Sequence, residues 1–148
     1  MKSMLSTTVA LAAVSAGLLI AAPATSGQVQ GMPATVKESP FACDTLALDP
    51  VTRKRHFGPL NQELVAKRLA VRELANGYEF TFPNDHVTYQ HVTEWANDER
   101  ACCPFFDISV SVTREHGPLT MLITGRPGTK DFMRGDGKNW VKPVLASK

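Results

Sequence analysis

Apolar and polar residues alternate in four short runs of the chain, and this alternation predicts β-strands. The runs lie around residues 69–71, 78–82, 106–113 and 119–123. Asn76-Gly77 is a tight-turn dipeptide between the first two runs, and the segment from Glu115 to Pro118 turns the chain between the last two. The pattern therefore predicts two antiparallel hairpins.

Helical signals fall before, between and after the two hairpins. Asp49-Pro50 places a capping residue before a proline at the first helical position, and Gly58-Pro59 should interrupt the helix that follows. A longer helix should run from about residue 84 to Cys102, and a short helix should follow the second hairpin. The order α-ββ-α-ββ-α predicts an α+β fold, a four-stranded, mainly antiparallel sheet with helices on one face.

The two ends of the chain are predicted to lie outside the folded domain. Lys2 precedes an apolar run that ends in small residues, a pattern typical of a secretory signal over residues 1–24. Residues 25–40 are predicted to be a flexible spacer, residues 41–134 a single α+β domain, and residues 135–148 a loose tail. We therefore expect an exported protein of the bacterial periplasm, with no stable membrane span after processing.

The charge balance argues against a nucleic-acid partner. The chain has 16 Lys and Arg against 14 Asp and Glu, a formal net charge of +2, and removal of the signal would leave +1. Domains that bind nucleic acid usually carry a strong basic excess. We predict no nucleic-acid partner, and the sequence identifies no protein partner.

The three cysteines, Cys43, Cys102 and Cys103, are the candidate chemical groups of this chain. Adjacent cysteines followed by Pro104 hold two sulfur atoms close together, which suits soft-ion capture, redox chemistry or a disulfide. Our leading interpretation is a site for a soft metal or metalloid ion, such as Cu(I) or Zn(II), with Cys102 and Cys103 as ligands and Cys43 as a third. The alternatives are a thiol–disulfide redox protein, or a non-catalytic domain braced by a disulfide from Cys43 to either member of the pair.

Glu99 falls within the apolar stripe of the helix that ends at the cysteine pair. With successive residues about 100° apart around a helix, it shares a face with Val92, Trp95 and Cys103. A carboxylate on a buried face needs a partner. Glu99 is therefore predicted to anchor the helix end, or to serve the thiols as a base or hydrogen-bond acceptor. Together with Arg100 it would orient the cysteine corner.

No residue of the sequence is assigned a catalytic role. The C-terminal end of a helix disfavours a thiolate, which argues against cysteine-hydrolase chemistry. The sequence has no serine in a nucleophile-elbow pattern and no glycine-rich phosphate loop. His56, His86 or His91 could complete a metal site, but His86 and His91 are five residues apart and do not form a helical metal pair, and His56 falls in a loop or helix end, so all three are predicted to be surface or boundary residues.

Three segments of the chain resemble a family of small, largely uncharacterised bacterial proteins that carry an E-R-x-C-C-P-F motif. The motif is the run from Glu99 to Phe105, in a matching segment that ends at Phe106, and the resemblance extends from about residue 43 to residue 134. The other matching segments run from Arg72 to Pro83 and from Leu122 to Gly125. The resemblance implies one domain with its site at the cysteine pair, and it implies no particular reaction.

Overall fold

The computed structural model describes residues 37–144, so the predicted signal and most of the predicted spacer lie outside the described residues. The helices and strands occur in the predicted order, with one further helix at the end. They are α1 (Pro50–Arg55), α2 (Asn61–Lys67), β1 (Ala70–Glu73), β2 (Gly77–Phe82), α3 (His86–Cys102), β3 (Asp107–Val112), β4 (Leu119–Thr124), α4 (Thr129–Gly135) and α5 (Lys138–Val141).

The four strands form one sheet in the order β1-β2-β4-β3, and every neighbouring pair is antiparallel. Each predicted hairpin therefore forms, and β2 joins the two by pairing with β4. In that pairing Phe80 lies opposite Met121. The predicted α+β fold is confirmed, and within the described sheet the antiparallel arrangement is complete.

The alternation of apolar residues places the core on one face of the sheet. Every second residue of β2 and β4 is buried, and these side chains pack against side chains from α2, α3, α4 and α5. The core residues are Leu60, Leu64, Tyr78, Phe80, Phe82, Val92, Trp95, Leu119, Met121, Ile123, Met133 and Trp140. The helices therefore pack on this buried face of the sheet, as the sequence predicts.

Gly58-Pro59 produces the predicted break between α1 and α2. Gly58 has φ −108° and ψ −111°, which is not a helical conformation, and Pro59 starts the chain in a new direction. The turn buries His56 and Leu60 on either side of it, each about 1% exposed. This kink brings a histidine from the N-terminal helix toward α3.

The segment before α1 is fastened to the end of the sheet and to α4. Phe41 lies edge-on to Phe105, with ring centroids 5.2 Å apart, and it stacks on Phe132. The guanidinium of Arg126 lies 4.3 Å from the centre of the Phe41 ring. Gly128 has φ +102°, and a Cβ there would lie 2.8 Å from the Phe41 ring, so both backbone and packing require glycine at this position.

The prediction of a loose tail from residue 135 is wrong for residues 138–141. These residues form α5, and Trp140 is buried in the main core. The Trp140 indole donates a hydrogen bond to Asn61 Oδ1 at 2.6 Å, and its backbone carbonyl accepts from the buried Arg68. Because the segment contributes only Trp140 and the partly buried Val141 to the core, rather than a periodic stripe, its sequence carries little helical signal. None of the described helices has the length and apolar character that crossing a membrane requires.

Candidate functional site

The candidate site lies where the N-terminal segment meets the end of α3. Cys43 and Cys103 form a disulfide that spans 60 residues of sequence, with their Cα atoms 4.6 Å apart. The backbone N–H of Asp44 donates to the carbonyl of Cys102 at 2.7 Å and holds the two segments together beside the disulfide. Of the two bridges that the sequence left open, the structure has the one from Cys43 to Cys103.

Cys102 is a buried free thiol in direct contact with this disulfide. Its side chain is fully buried, and its sulfur lies 3.7 Å from the sulfur of Cys103. The thiol lies 3.6 Å from the backbone carbonyl oxygen of Glu99 and 3.7 Å from Glu99 Oε2. The adjacent cysteines therefore have different chemical states, one oxidised and one reduced.

Glu99 lies on the buried face of α3, as its place in the apolar stripe predicts, and it is 7% exposed. Its partner among the described residues is His56, whose Nε2 lies 2.8 Å from Glu99 Oε2. The other ring nitrogen of His56 has no hydrogen-bond partner and lies 3.7 Å from Asp98 Oδ2. The His56 ring stacks on Trp95 with ring centroids 5.5 Å apart, which fixes its orientation.

The surroundings of Cys102 strongly favour the protonated thiol. Burial, and after it the nearby charge and hydrogen-bond acceptor of Glu99, together raise the pKa of Cys102 from 9.0 to about 12. The pKa shift has the direction predicted for this helix end, but its causes are burial and Glu99, so the effect of the helix end itself stays a prediction. Cys102 is a poor nucleophile while no cation is bound beside it.

Two groups of potential metal ligands occur among residues 37–144, and both contain Glu99. One consists of Cys43, Glu99 and Cys103, and the other of His56, Glu99 and Cys102, with the ligand atoms of each group within 4.8 Å of one another. The first group offers its thiolates only when the disulfide is reduced. The second group offers a nitrogen, an oxygen and a sulfur ligand in either redox state.

A cavity of about 490 Å³ opens beside these groups. Its polar wall includes Cys43, His56 and Glu99. Six aromatic side chains form much of the remaining wall: Phe41, Phe57, Trp95, Phe106, Phe132 and Trp140. A concave apolar site with a few convergent polar groups is typical of small-molecule binding.

The predicted site residues divide into those that converge and one that does not. Cys43, Cys102, Cys103 and Glu99 meet at one point, whereas Arg100 is exposed and donates to Asn97 Oδ1 at 3.2 Å on its own helix. The structure therefore places Arg100 away from Glu99.

His56 is the site residue whose buried position sequence reasoning missed, although it was named among the histidines that could complete a metal site. The prediction that His56 is a surface or boundary residue is wrong, because it is 1% exposed and contacts Glu99. The Gly58-Pro59 break is a signal that the chain turns here, but it does not indicate which neighbouring side chain is buried: His56 is, and Phe57 is 44% exposed. His91, by contrast, pairs with Glu63 at 3.0 Å, away from both ligand groups.

The fold and the site define an α+β domain in which a disulfide, a buried thiol, a carboxylate and an imidazole adjoin an aromatic cavity. Comparisons of the chain with family models, curated proteins and solved structures found no match. The function must therefore be argued from the chemistry of the site.

Proposed function

We propose that the domain captures a soft metal or metalloid ion with its cysteine thiolates, and that the Cys43–Cys103 disulfide is the closed form of this site. The observation that carries the proposal is the position of Glu99, which belongs to both ligand groups. A soft cation such as Cu(I) or Zn(II) would take Cys102, Cys103 and Cys43 as its sulfur ligands, as the sequence predicts. Glu99 and His56 would complete or orient the set.

A bound cation reverses the electrostatics that hold Cys102 protonated. The Glu99 carboxylate lies 3.7 Å from the sulfur and disfavours a thiolate. The same carboxylate attracts a positive ion placed between it and the sulfur, and the ion stabilises the deprotonated thiol. Capture therefore releases thiol protons to solvent. The Glu99 carboxylate, which makes Cys102 a poor nucleophile, therefore favours Cys102 as a metal ligand.

Opening the site requires an external dithiol reductant. Such a reductant transfers two electrons and two protons to the Cys43–Cys103 disulfide, and is itself converted to a disulfide. This step yields three thiols beside Glu99. Export to an oxidising compartment is part of the proposal, because disulfides persist there. The resemblance to the E-R-x-C-C-P-F family stays a prediction.

The redox state of the site should control its affinity for Cu(I). We expect the reduced protein, freed of reductant under anaerobic conditions, to bind one equivalent of Cu(I) in competition with a chromophoric chelator. The disulfide form should bind at least about tenfold more weakly, since it has lost two of its three thiolates. Alkylation and intact mass give the number of free thiols in each sample.

Two variants separate this proposal from non-specific copper binding. Glu99→Gln should weaken Cu(I) binding by the reduced protein severalfold without changing the number of free thiols. The double variant Cys102→Ser with Cys103→Ser should lose stoichiometric binding. Unchanged copper retention in the double variant would show that the cysteine pair is not the site.

Thiol–disulfide exchange is a second candidate function, favoured by the 3.7 Å separation of the Cys102 and Cys103 sulfur atoms. In an exchange step, a bond forms between these two sulfurs while the Cys43–Cys103 bond breaks. The proton of Cys102 ends on Cys43, so the step needs no external oxidant or reductant. The raised pKa of Cys102 opposes it, because a thiol near pKa 12 is mostly protonated at neutral pH.

Exchange would move the free thiol from Cys102 to Cys43. Prolonged incubation of the native protein with iodoacetamide, followed by peptide mapping without reduction, should then label Cys43. Cys102→Ala is the matched control for disulfide isomerisation, because it removes the attacking sulfur and should block the labelling. Label confined to Cys102 would contradict the exchange candidate.

A further inference from the structure

We propose that the ion captured at this site carries an aromatic substituent, and that the cavity beside Cys43 holds that substituent. The ligand class is an aryl-arsenic(III) species or a related soft centre that bears one aryl group. This inference rests on the proposed function, since the soft centre must bind the cysteine thiolates. It adds that the rest of the ligand is recognised by the aromatic walls.

The position of Cys43 is the first observation that supports this ligand class. Cys43 is the cysteine that lines the cavity, whereas the side chains of Cys102 and Cys103 are fully buried behind it. A centre bonded to the sulfurs of both Cys43 and Cys103 must therefore lie at the cavity wall. Any further substituent on that centre has the cavity as the adjoining space.

The composition of the walls is the second observation. Aromatic rings surround a space of about 490 Å³, which is larger than one phenyl ring needs. Trp95 and Trp140 lie 4.7 Å apart between ring centroids, and Phe57 is a half-exposed ring at the site. Aromatic ligands gain from both apolar burial and ring–ring contacts in such a setting. A bare ion would leave most of this surface in contact with water.

The bond changes for an aryl-arsenic(III) ligand balance without a redox step. Phenylarsonous acid, which has one As–C bond and two As–OH groups, reacts with two thiols. Two As–S bonds form, two As–O bonds break, and the thiol protons leave with the hydroxyl groups as two waters. Cys43 and Cys103 supply the thiols after reduction, and the phenyl group stays on arsenic. Cys102 then remains as one free thiol.

Two arsenic ligands that differ only in their substituent test the inference. Reduced protein is titrated with phenylarsonous acid and with methylarsonous acid, each of which needs two thiols. We expect the phenyl ligand to bind about tenfold or more tightly, because it buries more apolar surface. Tryptophan fluorescence provides the signal, since the chain has two tryptophans and both line the cavity.

A matched pair of surface aromatic variants locates the phenyl group. Phe57 lines the cavity and is 44% exposed, while Tyr89 lies on α3 outside the cavity lining and is 43% exposed. Phe57→Ala should reduce the preference for the phenyl ligand severalfold, and Tyr89→Ala should leave it unchanged. Tyr89→Ala should also leave binding of the methyl ligand unchanged, and the effect of Phe57→Ala is measured as the ratio of the phenyl and methyl affinities.

The outcomes distinguish this inference from the proposed function. Equal affinities for the phenyl and methyl ligands in the reduced wild-type protein would overturn the inference and leave thiolate capture standing. Absence of binding by both ligands would overturn both. The affinities of the wild-type protein for the phenyl and methyl ligands test the inference even if Phe57→Ala does not fold. Intact mass of the phenyl adduct, with one alkylatable thiol remaining, would support the assigned pair of sulfurs.

Discussion

Native protein should react with iodoacetamide at Cys102 about a thousandfold more slowly than the unfolded chain does at pH 8. Burial and the neighbouring Glu99 together raise the pKa of this thiol from 9.0 to about 12, and the thiolate is the reactive form. Three pKa units reduce the thiolate fraction by about a thousandfold. The absence of solvent exposure at Cys102 slows the reaction further.

The measurement is the rate of mass increase in the disulfide form, with and without denaturant, followed by peptide mapping. Cys102→Ala is the matched control, because it removes the single free cysteine of the described structure and should take up no label. A native rate within about tenfold of the unfolded rate would contradict the buried, protonated state of Cys102. The raised pKa of Cys102 could then no longer be used as an argument that the site captures a metal rather than acting as a nucleophile.

Cys43→Ala should lower the free energy of unfolding by about 2–4 kcal/mol in the absence of reductant. The Cys43–Cys103 disulfide closes a loop of 60 residues, which restricts the unfolded chain. It also fastens the Phe41 segment to the core beside α4. Urea unfolding followed by tryptophan fluorescence measures the change, because both tryptophans are buried in the main core.

The reductant provides the control for this second prediction. With the disulfide reduced, wild-type protein and Cys43→Ala should unfold at nearly the same urea concentration. Equal stability of the two proteins without reductant would show that the disulfide does not brace the domain. A stable disulfide would be consistent with either a permanent brace or a closed metal site, and the Cu(I) titration separates these two.

The strands and helices were predictable because their signals are local. Alternation over residues 78–82 and 119–123 matches the two-residue period of a strand, and the buried positions are those expected. Asp49 accepts hydrogen bonds from the first backbone N–H groups of α1, as its place before Pro50 indicates. Trp140 lies in a segment without periodicity, and only packing against the core orders it.

The candidate site was predictable in its sulfurs and in Glu99, because their spacing along α3 places them on one face. The disulfide partner of Cys43 was not predictable, because Cys102 and Cys103 are adjacent in the chain and the sequence does not distinguish between them. The role of His56 depends on the kink at Gly58, because His56 and Glu99 are 43 residues apart in the chain. Arg100 follows Glu99 in the chain, yet its helical position directs it to solvent.

By itself, the sequence determined the order of helices and strands, the buried face of α3 and the presence of adjacent thiols. These features follow from side-chain periodicity and covalent connectivity, which act over a few residues. The tertiary structure alone decided that Cys103 is oxidised while Cys102 is a buried thiol, that His56 pairs with Glu99, and that aromatic rings enclose a cavity beside Cys43. Each depends on bringing distant segments together, and local patterns do not encode the distance between such segments.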